Sequence, residues 1–291
     1  MVAAQRAQVP VTLVDASDKA LDKGLSFAGT WLTPTNNVLD HHIDGCDTDK
    51  LLAKDVSKSR ITQEQSDKAR SLLTPSTKIE DLSNVDFVIE AVPEIPDLKF
   101  KIFKQLAECC PSHAILATNT SSISITRIAA ATTTDPTDLS ASSRVVSTHF
   151  MNPVPVQKGV EIISGLQTSK ETLDTAVDFC TKMGKIASVS ADSPGFLANR
   201  ILMPYINEAV ICLETGVGER DSIDAIMKNG TNVPMGPLQL ADFIGLDTCL
   251  AIMKVLHGET GDSKYRPSVL LSKMVDAGWL GKKSGKGFYD Y

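Results

Sequence analysis

Asp86-Phe-Val-Ile-Glu-Ala-Val-Pro-Glu94 is a short apolar run that stops at a proline, and the helical pattern Leu98–Cys109 follows it. Ala114-Ile-Leu-Ala-Thr118 repeats the apolar run, and Ile123–Ala131 repeats a short helix. Unbroken apolar runs of this kind suit strands covered on both faces. Strand, helix, strand, helix in that order specifies parallel strands joined by helical crossovers, an α/β sheet of βαβ units. Toward the amino end, Val9-Pro-Val-Thr-Leu-Val-Asp15 reads as another strand, followed by a helix-like stretch to about Leu32. Pro34–Thr48 is too rich in Asn, Asp and Thr for regular structure. Two charged helices are expected after it, Lys50–Arg60 and Thr62–Leu73.

Toward the carboxyl end, Ser147-Thr-His-Phe-Met-Asn-Pro-Val-Pro-Val-Gln-Lys-Gly-Val-Glu161 places an imidazole and a carboxylate twelve positions apart around a proline turn. Its flanks, Arg144–Thr148 and Val160–Ile163, are β-branched and apolar, so an antiparallel return brings His149 and Glu161 together. A carboxylate on one ring nitrogen fixes the tautomer and leaves the other nitrogen to accept a proton. A helix Lys170–Met183 and a strand Ile186–Ser190 follow. After Ser193-Pro-Gly-Phe196 every periodic segment is helical: Asn199–Thr215, Ser222–Lys228, Pro237–His257 and Val269–Ala277. The expected organisation is therefore an α/β domain over 1–190 and an all-helical domain over 191–291.

Composition narrows the function classes. A net charge of −6 argues against nucleic-acid binding, which needs a basic face. No apolar run approaches a membrane span. The six cysteines show no C-x-x-C spacing and the five histidines are scattered, so neither a disulfide scaffold nor a metal centre is expected. The amino end carries no apolar signal segment, and cysteine usage suits a reduced setting, mitochondrial matrix or cytoplasm.

A strand ending in an acid, as at Asp15, is how an open α/β sheet holds an adenine ribose, although the same acid can cap the next helix. The glycine-rich fingerprint that should precede it by about 20 residues has no counterpart among residues 1–14. Met1–Gln8 reads as the last turns of the helix that follows that loop. Ligands bind beyond the carboxyl ends of parallel strands, so the backbone of Ala91-Val-Pro-Glu94 and of Asn119-Thr-Ser-Ser122, together with Lys99 and the Ser121 hydroxyl, are candidate contacts. Asn119–Ser122 can also cap the next helix.

Taken together, Val88-Ile-Glu-Ala-Val-Pro-Glu94, Ala117-Thr-Asn-Thr-Ser-Ser122, His149-Phe-Met-Asn-Pro153, Pro194-Gly-Phe-Leu-Ala-Asn-Arg200, Pro234-Met-Gly-Pro237 and Gly281-Lys-Lys-Ser-Gly-Lys-Gly-Phe-Tyr289 resemble the 3-hydroxyacyl-CoA dehydrogenase family along almost the whole chain. The resemblance implies a Rossmann-type domain joined to a helical domain that dimerises, and oxidation of L-3-hydroxyacyl-CoA with NAD. It implies His149 as general base, Glu161 as its orienting partner, and Ser121 and Asn199 on the substrate oxygen. Asp15 would hold the adenine ribose, and Glu94, Lys99, Asn152 and Lys283 would contact cofactor or coenzyme A. Lys50, Lys54 and Lys58 fall on one helical face, where Lys58 would meet a coenzyme A phosphate; a solvated face is the plainer alternative. Pro34–Thr48 departs from the family pattern as a polar insertion.

Two other functions compete: a non-catalytic structural or acyl-CoA-binding relative of the λ-crystallin kind, and a dehydrogenase for a sugar acid such as gulonate. The first strand and glycine loop do not appear, so the natural start is expected upstream and this polypeptide is expected to bind NAD weakly. Titrating NAD into it and into an upstream-extended version checks this; equal affinities would refute it.

Overall fold

The computed structural model describes residues 2–21 and 48–291. They form two compact units, the first ending at Asp192 and the second running Ser193–Tyr291. The polar insertion before Thr48, the His41-His42 pair and most of the stretch read as helical up to Leu32 lie outside the described residues.

In the first unit a helical turn, Ala3–Ala7, enters β1 (Val11–Val14) through Gln8. Two helices follow, α1 (Thr48–Ser57) and α2 (Gln63–Ser71). Thr62 opens α2 with a reciprocal cap: its hydroxyl accepts from the Gln65 amide at 3.1 Å and its amide donates to the Gln65 side chain at 2.9 Å, satisfying two donors the helix leaves unpaired. The chain then enters β2 (Leu73–Ser76), parallel to β1 with Val11 opposite Leu73. β2 has no counterpart in the sequence reading. Pro75 sits within it and its residues lack the β-branched run of a strand, so cross-strand pairing rather than local preference makes it one.

The remaining strands are β3 (Phe87–Glu90), β4 (Ile115–Thr118), β5 (Val145–Phe150), β6 (Gly159–Ser164) and β7 (Ile186–Ala191), paired in that order as one sheet. Every pairing is parallel except β5 with β6, which is antiparallel. The crossover helix between β3 and β4 is α3 (Pro96–Cys109), with Pro96 in the first turn where its missing N–H costs nothing. α4 (Ile125–Ala130) follows β4, and α5 (Lys170–Lys182) links β6 to β7. β4 and β5 are buried at every residue, as central strands covered on both faces must be. Val146, Val160 and Ile162 pack with Ala176, Cys180 and Met183 of the α5 side.

Among the described residues the strands form two sheets, β1 with β2 and β3 through β7.

The second unit contains α6 (Ala198–Glu214), α7 (Arg220–Gly230), α8 (Pro237–Ile244), α9 (Leu246–Thr260) and α10 (Val269–Asp276). The single helix read over Pro237–His257 is two helices. Gly245 separates them at φ 104°, in the left-handed region that favours glycine. Met203, Ile206, Val210, Leu238, Leu250 and Leu256 form its core. The carboxyl-terminal segment is pinned to it by Asp242, fully buried, which accepts from the amides of Phe288 at 2.9 Å and Tyr289 at 2.8 Å and from the Tyr291 hydroxyl at 3.1 Å. Burial outweighs those bonds and leaves the Asp242 carboxyl above the ordinary carboxylate range.

Candidate active site

The antiparallel β5–β6 register sets His149 directly opposite Glu161, where facing side chains lie within reach. His149 Nδ1 is 2.9 Å from Glu161 Oε2, and both side chains are at most 10% exposed. An ionised carboxylate only accepts, so Nδ1 carries the proton and Nε2 presents its lone pair. Ser121 Oγ lies 3.1 Å from that Nε2. Lys185 secures the hairpin turn, its ammonium donating to the Val154 carbonyl and, at 2.7 Å, to the Gln157 carbonyl.

Ser121 arrives from the carboxyl end of β4, on the turn Asn119–Ser122. Asn119 ties that turn to β5, its Oδ1 accepting from the Phe150 amide at 2.9 Å. Asn119, expected only in a turn or contact role, is thus a lock between strands; a side-chain acceptor at a strand end, beside a parallel neighbour, is the signal that points to it. Glu94 grips the turn from the other side. Its Oε1 accepts from the Thr120 hydroxyl, the Ser121 amide at 2.8 Å, the Ser122 amide at 3.0 Å and the Ser122 hydroxyl at 3.1 Å. Burial opposes ionisation of Glu94, but the Thr120 hydroxyl, the Lys99 charge and the serine donors outweigh it and hold its carboxyl below the usual range.

The order Ser121–His149–Glu161 also matches a nucleophilic triad. Such chemistry needs amide donors aimed at an oxyanion, and here the Ser121 and Ser122 amides are already taken by the Glu94 carboxylate. Proton transfer to and from a substrate oxygen is what the arrangement supports.

Lys99 differs from its expected role. Its ammonium is 1% exposed and turned inward, 2.7 Å from Glu90, 3.4 Å from Glu94 and 3.1 Å from the Val92 carbonyl. A direct contact to cofactor or substrate is therefore not what this side chain makes; three internal acceptors claim it. Lys58 falls beyond the end of α1, in the exposed turn that closes it, so the expected lysine ladder has lost its last helical rung; nothing is described of the Lys50 side chain. Asp15 ends β1, exposed, one carboxylate oxygen accepting from the Ser17 amide at 2.9 Å. Asn152 is exposed in the hairpin turn. In the second unit, Asn199 is the second residue of α6, and Lys283 is paired with Asp247 at 2.5 Å.

A family model described as 3-hydroxyacyl-CoA dehydrogenase, NAD binding domain, matches residues 1–193, and one described as 3-hydroxyacyl-CoA dehydrogenase, C-terminal domain, matches 195–291. The chain belongs to the 3-hydroxyacyl-CoA dehydrogenase family. It is 52% identical over 242 residues to a probable 3-hydroxybutyryl-CoA dehydrogenase of Bacillus subtilis, covering 83% of this chain and 82% of that protein. A 3-hydroxybutyryl-CoA dehydrogenase of Bradyrhizobium diazoefficiens is 51% identical over 240 residues, 82% and 80% of the two chains. The solved structure of an (S)-3-hydroxybutyryl-CoA dehydrogenase from Ralstonia eutropha superposes with a TM-score of 0.87 at 41% identity, covering all of this chain and 93% of that one. Membership in this family makes the chain an NAD-dependent oxidoreductase by descent.

The residues at the sheet edge fit a dinucleotide in part. An exposed carboxylate at the end of β1 suits a ribose, and the carboxyl ends of β3 and β4 open where such ligands bind. The described residues supply no glycine-rich cradle for the pyrophosphate. Among them, no helix is long and apolar enough to cross a membrane and no cluster of His, Cys, Asp and Glu could hold a metal ion.

Proposed function

We propose that this chain oxidises L-3-hydroxyacyl-CoA to 3-oxoacyl-CoA, with His149 as general base and Glu161 as its orienting partner. The observation that carries the reading is the imidazole held between Glu161 and Ser121, 2.9 and 3.1 Å away. NAD, when bound, supplies the hydride acceptor. His149 Nε2 takes the proton of the 3-hydroxyl, and the Glu161 carboxylate stabilises the imidazolium that results. Ser121 donates to the same substrate oxygen, and Asn199 helps position it. In the reverse direction the imidazolium returns the proton to the 3-oxo group. Asp15 holds the adenine ribose, Asn152 and Lys283 contact cofactor or coenzyme A, and Lys58 meets a coenzyme A phosphate. The helical unit forms a homodimer.

The non-catalytic alternative is less well supported, because a binding module has no use for a base fixed in one tautomer beside a hydroxyl donor. Consumption of NADH with acetoacetyl-CoA tests the reading. Turnover with acetoacetyl-CoA, undiminished by gulonate, is the expected result. Activity with gulonate and none with acetoacetyl-CoA would transfer the assignment to a sugar-acid dehydrogenase, and activity with neither at saturating NADH would favour the binding module.

A further inference from the structure

Lys99 is buried, and both of its carboxylate partners lead to the same place. Glu90, 2.7 Å from Lys99 Nζ, accepts from the Val92 amide at 2.6 Å and from the Thr118 hydroxyl at 2.7 Å. The Thr118 hydroxyl in turn accepts from the Thr120 amide at 3.2 Å. Glu94, 3.4 Å from the same ammonium, accepts from the Thr120 hydroxyl and from the Ser121 and Ser122 amides. Two chains of hydrogen bonds therefore leave one buried cation and end on consecutive residues of the turn that carries Ser121. Placing an ammonium where water cannot reach it is costly unless it is paired, and here the pairing organises a turn rather than the packing of a core.

We propose that Glu94 and Lys99 are positioning residues for Ser121: Lys99 fixes the two carboxylates, and the carboxylates hold the Thr120–Ser122 turn so that the Ser121 hydroxyl stays beside His149. This rests on the functional reading above only for the meaning of the Ser121 position; the clamp itself is a property of the turn. Its consequence is that Glu94 acts through Ser121 and not chiefly through contact with the cofactor.

Two measurements on the full chain test it. Hydrogen exchange of the segment 119–123 should speed by about tenfold or more in Glu94→Ala, because the acceptor of two amides is gone, while Glu94→Asp recovers part of the protection. Unchanged exchange in Glu94→Ala would overturn the clamp. In steady-state turnover of acetoacetyl-CoA, Glu94→Ala should lower kcat by roughly 30-fold with KM for NADH within about threefold, and should cost less than about threefold in a Ser121→Ala background, the non-additivity of residues that act as a unit. Effects that multiply, or a rise in KM for NADH at constant kcat, would assign Glu94 to the cofactor instead and refute the proposal. If the parent chain does not turn over acetoacetyl-CoA, the functional reading fails, and the exchange result alone decides the clamp.

Discussion

His149→Gln is expected to lower kcat for acetoacetyl-CoA reduction by about a thousandfold, in the middle of the range for loss of general acid–base catalysis. That corresponds to roughly 4 kcal/mol of transition-state stabilisation. Glutamine is close to histidine in size and can still bond Glu161, so β5 and β6 have no reason to part. It has no group that exchanges a proton near neutral pH, so the step that moves the proton slows while binding is spared. The measurement is kcat alongside the affinity for NADH and the melting temperature. A loss of activity that tracks a loss of folded protein, or a kcat within tenfold of the parent, would remove His149 from the chemistry.

Gly287→Ala is the substitution with the largest expected cost in stability. A Cβ at Gly287 would stand 1.9 Å from Asp242 Oδ1 and 2.6 Å from the Gly281 Cα. Neither neighbour can yield cheaply. Asp242 is locked by three donors from Phe288, Tyr289 and Tyr291, and Gly281 is itself at φ 90° with its own absent Cβ 2.4 Å from the Asp242 carbonyl oxygen. Overpacking of this kind, joined to the breaking of a buried hydrogen-bond set, is expected to cost on the order of 3 kcal/mol. Gly258→Ala in α9 is the matched control: nothing lies within 4 Å of its added methyl, and alanine in a helix interior should gain about 0.5–1 kcal/mol. Denaturant unfolding of the two variants beside the parent decides the matter; a Gly287→Ala protein as stable as the parent would show that the segment can shift away from Asp242. This also explains Gly281-Lys-Lys-Ser-Gly-Lys-Gly in physical terms, since at least two of its glycines are there to let Asp242 approach.

The hairpin was legible because its information is local. β-branched flanks and a proline turn specify both strands, and an antiparallel return leaves His149 opposite Glu161 without help from the rest of the chain. β4 was legible for the related reason that a strand buried at every residue is apolar throughout, and β3 because Phe87-Val-Ile89 makes a similar apolar run, although Ile89 is exposed. β2 was not, because Leu73-Thr-Pro-Ser76 becomes a strand only by pairing with β1, some sixty residues earlier. The division at Gly245 was hidden by apolar periodicity that continues across it, and only the positive φ reveals it. Lys99 was misread for a different reason. A lysine just inside a helix at a ligand-binding edge has the right address for a phosphate, and sequence offers no sign that Glu90 and Glu94 will turn it inward.

The register of β5 and β6 also bears on how the protein comes together. Only twelve residues separate His149 from Glu161, so the loop that joins them is short, and closing it is an inexpensive, microsecond event for a hairpin. Ser121 stands 28 residues from His149 and reaches it across a parallel pairing, which must wait for α4 and the intervening loop to find their places. Base and orienter thus belong to the low-contact-order part of the chain and the serine to the high-contact-order part. An extra residue or two in the exposed turn around Pro155 lengthens a loop whose closure cost grows only logarithmically, so the imidazole–carboxylate pair is buffered against the length variation that surface turns accumulate.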